Sequence, residues 1–194
     1  MVLDKTIDYY NQNAEQYIAR TSWINMEPAR TRFLSYLPSE ALILDAGCGS
    51  GRDALAFQSL GHRVLAIDAS EEMVRSVTAQ GIPAQQMYFE DLSFSSQFDG
   101  IWCSASLLHV QKEILPQVMD SIYKALKPNG ICFVSYKYGQ GEALENGRYF
   151  HFMDEKTLDE SCRAFEILEV WHYSSDVNLV PTIWLNALLR KPFS

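Results

Sequence analysis

The chain has 194 residues, long enough for one domain with a sizeable core. Its 24 acidic and 16 basic side chains give a formal net charge of -8, and no Lys/Arg cluster offsets it, so a nucleic-acid partner is disfavoured. Hydrophobic content is 47%, no apolar run approaches the ~18 residues of a membrane helix, and the opening MVLDKTIDYYNQN has no apolar signal-peptide core, so a cytoplasmic protein is expected.

In chain order, Thr6–Arg20 has helical periodicity. A second helix, Pro28–Tyr36, carries Pro28 in its first turn, where a missing N–H costs nothing. Ala41–Ala46 (ALILDA) is a buried strand, and the loop D-A-G-C-G-S-G follows it. Arg52–Leu60 is helical. His62–Ile67 (HRVLAI) is a second strand closed by Asp68. Ser70 then caps a helix whose first turn, S-E-E-M, places acids at the positive end of the helix dipole. Gly81-Ile82-Pro83 ends that helix. Ala84–Phe89 is a weak third strand and Phe98–Cys103 a fourth. Lys112–Leu126 is amphipathic, with Ile114, Leu115, Val118, Met119, Ile122 and Leu126 on one face, and Lys127-Pro128-Asn129-Gly130 stops it. Ile131–Tyr136 (ICFVSY) is apolar enough to lie centrally in a sheet.

Strands alternating with helices at this spacing imply a parallel sheet covered on both faces. The tail breaks the rhythm. Asp154–Ala164 reads as a helix capped by Asp154. Phe165–Trp171 and Ile183–Leu189 then read as two strands with no clear helix between them, an antiparallel hairpin at the sheet edge. Cys48, Cys103, Cys132 and Cys162 are isolated from one another and form no CxxC pair. Buried free thiols are expected, with no disulfide frame and no metal site.

Three glycines in alternation, Gly47, Gly49 and Gly51, mark a backbone that something approaches closely. A phosphate-cradling loop needs G-x-x-x-x-G-K-[ST], and no Lys-Ser or Lys-Thr follows here. A dinucleotide loop needs G-x-G-x-x-G, and Arg52 stands in place of the third glycine. The third option is an adenosine ligand carrying an amino acid instead of a pyrophosphate. Asp68, at the end of the second strand, suits both ribose hydroxyls of either nucleoside ligand. In Glu90-Asp91-Leu92, after the third strand, an acid suits an adenine amine. Asp45, Asp68 and Asp91 thus follow three successive strands.

The series I-L-D-A-G-C-G-S-G, V-L-A-I-D-A-S, E-D-L, F-D-G-I-W-C-S-A-S-L-L-H-V and L-K-P-N-G resembles a class I S-adenosylmethionine-dependent methyltransferase over roughly residues 41–136. The flanks Y-Y-N-Q-N-A-E-Q-Y-I-A-R-T, G-R-Y-F-H-F and W-L-N-A-L-L-R-K resemble small bacterial methyltransferases of type 11/25 or the tellurite-resistance kind. The resemblance implies a Rossmann-like α/β three-layer sandwich. Its mostly parallel seven-stranded sheet would carry an antiparallel C-terminal edge hairpin and N-terminal lid helices. One domain, 1–194, would divide into a helical cover (1–38), a cofactor-binding core (39–136) and a substrate loop with edge hairpin (137–194).

Carried over residue by residue, the resemblance places Asp45 at the loop or the methionine ammonium. Ala46, Gly47 and Gly49 would let the methionine part lie against the backbone. Asp68 would hold the ribose, with Ala69 and Met73 against the adenine. Asp91 would read the adenine amine, beside Glu90 and Leu92. Ser104 and Ala105 would face the methyl donor, Tyr17 would close over it, and Arg20 would meet its carboxylate. His109 is the candidate catalytic residue and a substrate contact, and Tyr138, Glu142 and Arg148 are further substrate candidates, with Tyr149 and His151 in the same loop. Trp184 is expected in the core. The implied reaction is in-line methyl transfer from S-adenosylmethionine, leaving S-adenosylhomocysteine, to a small-molecule acceptor. A monomer or homodimer with no membrane partner is expected. A tRNA or protein methyltransferase, a non-catalytic nucleoside-binding module and an NAD-dependent oxidoreductase are the rival readings.

Overall fold

A computed structural model describes residues 2–175 and 181–193. Three helices, α1 (Val2–Gln12), α2 (Ala14–Thr21) and α3 (Glu27–Leu34), precede β1 (Leu42–Ala46), α4 (Arg52–Ser59), β2 (Arg63–Asp68), α5 (Glu71–Ala79) and β3 (Ala84–Gln86). Then come β4 (Phe98–Cys103), α6 (Leu115–Ala125), β5 (Leu126–Lys137), β6 (Glu142–Glu145), β7 (Arg148–His151), α7 (Glu155–Ser161), β8 (Glu166–Ser175) and β9 (Thr182–Arg190). Seven strands form one sheet in the order β3-β2-β1-β4-β5-β9-β8. The first five are parallel, β9 runs antiparallel to β5, and β8 pairs antiparallel with β9. The architecture is the Rossmann-like sandwich expected, with β8 at the free edge and β9 between it and β5.

Alternation along the central strands builds the two faces. Ile43, Trp102, Ile131 and Phe133 point to one side and pack with Phe33 of α3 and Phe57 of α4. Leu44, Ile101, Cys132 and Val134 point to the other, against Val118 and Ile122 of α6 and Leu158 of α7. Trp102 stacks on Phe133 with ring centres 3.9 Å apart. Gly100 of β4 gives α3 its seat: a Cβ there would fall 2.6 Å from Phe33 Cζ. All four cysteines are buried free thiols. Among the described residues, no helix is long and apolar enough to cross a membrane.

Four details depart from the sequence reading. The first predicted helix is two, because Asn13 leaves helical geometry (φ -118, ψ 20) and its side-chain amide donates to the Tyr9 carbonyl. That competition with the backbone is what disfavours asparagine inside helices. The sixth helix begins at Leu115, not Lys112, with Pro116 in its first turn. β3 stops at Gln86, and Phe89–Asp91 curls into a single 3-10 turn. The loop after β5, read as irregular, holds the β6–β7 hairpin. Its turn is Asn146-Gly147 with φ of 51° and 80°. An Asn-Gly pair supplies the two positive φ values that match strand twist. Asp154 caps α7 as expected, in a reciprocal pair with Thr157.

Candidate functional site

The chain builds β1, β2 and β3 outward and then returns to place β4 on the other side of β1. At such a reversal, connections leave in opposite directions and open a crevice beyond the strand ends. Here the crevice is a cavity of about 100 Å³, and it shares Tyr17, Gly47, Gly49 and Ser104 with a smaller one of about 40 Å³.

The glycine loop forms its floor. The amides of Gly47 and Cys48 both donate to the Ile67 carbonyl, at 2.8 and 3.0 Å. The Gly49 amide donates to Asp68 Oδ2 at 2.9 Å, and the Ser70 amide donates to Asp68 Oδ1 at 2.9 Å. Asp68 thus ties the loop to the start of α5, and its remaining lone pairs lie on the cavity wall. Burial pushes its carboxyl above the ordinary range, against the pull of these amides. Ser106 Oγ donates to the Ala46 carbonyl at 2.7 Å, so a hydroxyl from beyond β4 closes the loop from the other side.

The smaller cavity is a charged recess. Asp45 is 3% exposed, and its Oδ2 has no partner. Burial, and next the charge of Asp53, raise its pKa well above the ordinary value. Asp53 itself is satisfied by Arg30, by Arg52 (Nη2 at 2.6 Å) and by the Trp102 indole N–H at 3.0 Å. Two guanidiniums on one buried carboxylate leave a net positive charge. Arg52 lines the recess beside the unpartnered Asp45 oxygen. The recess therefore offers a cation and an anion acceptor side by side, which suits the ammonium and carboxylate of an amino acid.

Helices α1 and α2 roof the larger cavity, where Thr6, Ile7, Tyr10 and Tyr17 line it. The roof is held at three points. The Tyr149 amide donates to Thr6 Oγ1, Ser70 Oγ donates to Asn11 Oδ1, and Tyr10 meets His109. The Tyr149 carbonyl, 2.6 Å from His109 Nδ1, can only accept. Nδ1 therefore carries the proton, Nε2 is bare, and the Tyr10 hydroxyl donates to it at 2.8 Å. Burial lowers the His109 pKa to about 3, with Arg148 and Lys137 adding to the fall.

A neutral His109 in the fold makes stability depend on pH. Above about 6.5 it is neutral folded or unfolded, and its contribution is complete. As pH falls from there toward about 3, only the unfolded chain takes the proton, so that contribution is lost. Asp45 and Asp68, whose pKa values are raised, act in the opposite sense, so the difference from a variant is the clean measure. His109→Gln can keep both hydrogen bonds without titrating. Wild type should lose stability relative to it by up to about 1.4 kcal/mol per pH unit below pH ~6.5, read from urea titrations at pH 7, 6 and 5. Parallel stability curves would show that His109 is not buried neutral.

The structure brings Tyr17, Asp45, Gly47, Gly49, Asp68, Ala69, Met73, Glu90, Ser104, Ala105 and His109 around the two cavities. Other candidates stand elsewhere. Ala46 is fully buried behind the loop and contributes its carbonyl to Ser106. Arg20 is on the solvent side of α2, its guanidinium 5.9 Å from the Tyr17 ring centre. The 3-10 turn at Phe89–Asp91 sends Glu90 to the cavity, Asp91 to solvent and Leu92 into the core. Tyr138 is 42% exposed and packs edge-on against His172. Glu142 is exposed and accepts from the Tyr149 hydroxyl. Arg148 lies behind Tyr10 against Tyr9 and Phe150. His151 is buried, with Nδ1 on the Val110 carbonyl. Thr6, Tyr10, Met87, Tyr88, Phe89 and Ser106 line the cavity without having been singled out. Tyr10 had a signal, since it stands seven residues before Tyr17, two helical turns on one face.

The sequence matches the family model described as a methyltransferase domain over residues 43–130. It is 27% identical over 164 residues to a ubiquinone biosynthesis O-methyltransferase of Rickettsia conorii, covering 69% of this chain and 56% of that one. It is 31% identical over 98 residues to the cypemycin N-terminal methyltransferase of a Streptomyces species, covering 47% of this chain and 40% of that one. The chain spans about half the length of the relatives it matches. Among solved structures, the fold superposes with TM-score 0.82 on the 1,6-didemethyltoxoflavin-N1-methyltransferase of Burkholderia thailandensis, which holds S-adenosylhomocysteine. Identity is 22%, covering 97% of this chain and 88% of that one. The [4+2]-cyclase SpnF shares the fold at TM-score 0.76 and 17% identity, covering 96% and 95%.

Proposed function

We propose that this chain is a class I S-adenosylmethionine-dependent methyltransferase and that it methylates a small molecule held beneath α1. The observation that carries this reading is a roofed cavity with carboxylates at one end and an aromatic wall at the other. The residues fit S-adenosylmethionine. The unpartnered Asp45 oxygen suits its ammonium and Arg52 its carboxylate. Asp68 suits the ribose hydroxyls, and Met73, Met87, Tyr88 and Phe89 form an apolar slot for a flat base, with Glu90 beside it.

When bound, this group supplies an activated methyl: the acceptor's lone pair bonds to the methyl carbon as the carbon–sulfur pair leaves with sulfur. What remains for the protein is alignment and exclusion of water. Ser104 lines both cavities and so stands between the charged recess and the larger cavity. Ala105 next to it has φ of +51°, a left-handed geometry that costs a non-glycine residue ~1–2 kcal/mol. Strain of this kind at a cavity wall persists only where neighbours impose it, here the Ser106–Ala46 bond. The three-point clamp on α1 favours a small acceptor over a polymer, and the net charge of -8 disfavours RNA. A cytoplasmic enzyme follows from the same reading.

SpnF shares the fold and is a cyclase, so fold does not by itself specify methyl transfer. Two measurements separate the readings. In thermal-shift assays, S-adenosylmethionine and S-adenosylhomocysteine should stabilise the protein, by ~2.7 kcal/mol at a hundredfold excess over Kd. Stabilisation by NAD or NADP alone would sink the cofactor assignment. Turnover to S-adenosylhomocysteine should then appear with a small-molecule panel. Turnover only with tRNA or protein would overturn the acceptor class, and binding without any turnover would leave a nucleoside-binding module.

A further inference from the structure

The cavity is electrically polarised along its length. Asp45, Asp68 and Glu90 stand at the end assigned to the donor. At the other end the wall is built from Thr6, Ile7, Tyr10, His109 and Val110, with no carboxylate among the described residues that line it. Behind that wall lies Arg148. Its guanidinium carbon is 4.5 Å from the ring centre of Tyr9, 5.1 Å from Phe150 and 6.0 Å from Tyr10. Among the described residues Arg148 makes no salt bridge, and its Nε is buried without a partner. The neighbouring charges do not cancel it. Lys137 is paired with Glu145 at 2.7 Å, and Glu142 is exposed and engaged by the Tyr149 hydroxyl. A half-buried guanidinium among aromatic faces is screened less than one on the open surface, so its field reaches further. It acts on both Tyr10 and His109 of the acceptor wall.

The same wall offers no group ready to take a proton. The lone pair of His109 Nε2 is covered by the Tyr10 hydroxyl. Burial holds Tyr10 protonated, and it holds His109 neutral and weakly basic. An acceptor that must lose a proton on attack finds no base here, whereas an acceptor that already carries the negative charge needs none. Its lone pair forms the bond to the methyl carbon, the carbon–sulfur bond breaks toward sulfur, and the anion becomes neutral with no proton to place. The aromatic and thin character of the wall suits a flat ring.

We propose that the acceptor is a small planar anion, a ring bearing a carboxylate, phenolate or enolate, and that Arg148 selects it through the Tyr10–His109 wall. This rests on the methyltransferase reading above and names the substrate class for that site.

The test uses the whole protein saturated with S-adenosylhomocysteine and measures, by calorimetry, three pairs of probes: benzoate and benzamide, 4-hydroxybenzoate and 4-hydroxybenzamide, nicotinate and nicotinamide. The carboxylate of at least one pair should bind about tenfold more tightly than its amide. Arg148→Met should remove that preference, and Arg148→Lys, which keeps the charge, should retain part of it. Affinity for S-adenosylhomocysteine, unchanged within about twofold, reports that each variant is folded. Equal affinity within every pair, no binding by any carboxylate, or a preference that survives in Arg148→Met overturns the proposal. Failure of wild type to bind S-adenosylhomocysteine overturns instead the reading on which it rests.

Discussion

Gly47→Ala should lower stability by about 2–5 kcal/mol and abolish nucleoside binding, the largest effect of any single methyl group added to this chain. Two independent costs meet at this position. Gly47 has φ of +78°, where any L-residue with a Cβ costs ~1–2 kcal/mol. The added Cβ would also fall 2.3 Å from Ser106 Cβ, which is backbone-proximal and cannot swing aside. Overpacking of that kind costs ~1–3 kcal/mol. For a chain of this size the melting temperature should drop by roughly 5–15 °C. The two costs can be separated. Ser106→Gly in the Gly47→Ala background removes the clash but leaves the φ strain, and it forfeits the bond to the Ala46 carbonyl. Rescue should therefore be partial, with a coupling of about 1 kcal/mol or more in a double-mutant cycle. A Gly47→Ala protein of wild-type stability would mean that the loop is not held between Ile67 and Ser106 as described.

That loop shows why so much of the cavity floor was legible in the sequence. Strand, acid and alternating glycines are local signals. The chemistry they announce depends on residues a few positions apart, and Asp68 lies at the end of the next strand in the same unit. The acceptor side is assembled from segments far apart in the chain: Thr6 and Tyr10 of α1, His109 beyond β4, and Tyr149 of the β6–β7 hairpin. No local pattern announces such contacts. Where local signals were misread, a competing local rule explains it. Asn146-Gly147 is a hairpin turn that passed for loop composition. The early end of β3 rotates Glu90 into the cavity position expected for Asp91. Arg20 was chosen by helical spacing from Tyr17, but α2 presents only one face to the cavity. The cation in the charged recess is instead Arg52, whose partner Asp53 adjoins it in sequence and is shared with Arg30 and Trp102 from other elements.

Asp68→Ala and Asp45→Asn should divide the ligand between them. S-adenosylhomocysteine and 5′-methylthioadenosine share adenine and ribose, but only the first has an amino-acid end. On the proposed reading Asp68 would serve the shared part twice over, by accepting ribose hydroxyls and by holding the Gly49 and Ser70 amides that shape the floor. Hydrogen bonds to a charged group are worth ~1.5–3 kcal/mol each, so its loss should weaken both ligands by about a hundredfold. Asp45→Asn is nearly isosteric and changes a side chain that lines the recess with one oxygen, Oδ2, unpartnered. It should weaken S-adenosylhomocysteine about tenfold or more and leave 5′-methylthioadenosine within a factor of about two. Arg52→Gln should follow the Asp45→Asn pattern if the ligand's carboxylate lies against the guanidinium. Calorimetric titration of both ligands into the three variants decides it. A loss for 5′-methylthioadenosine in Asp45→Asn equal to that for S-adenosylhomocysteine would show that Asp45 acts on the loop. An amino-acid end seated elsewhere would leave the variant's affinity for S-adenosylhomocysteine unchanged. The two carboxylates both flank the glycine loop, from the ends of β1 and β2, and both are raised in pKa, so charge alone does not tell them apart. Their partners do: Asp68 is already bonded to the backbone it shapes, and Asp45 keeps one oxygen free.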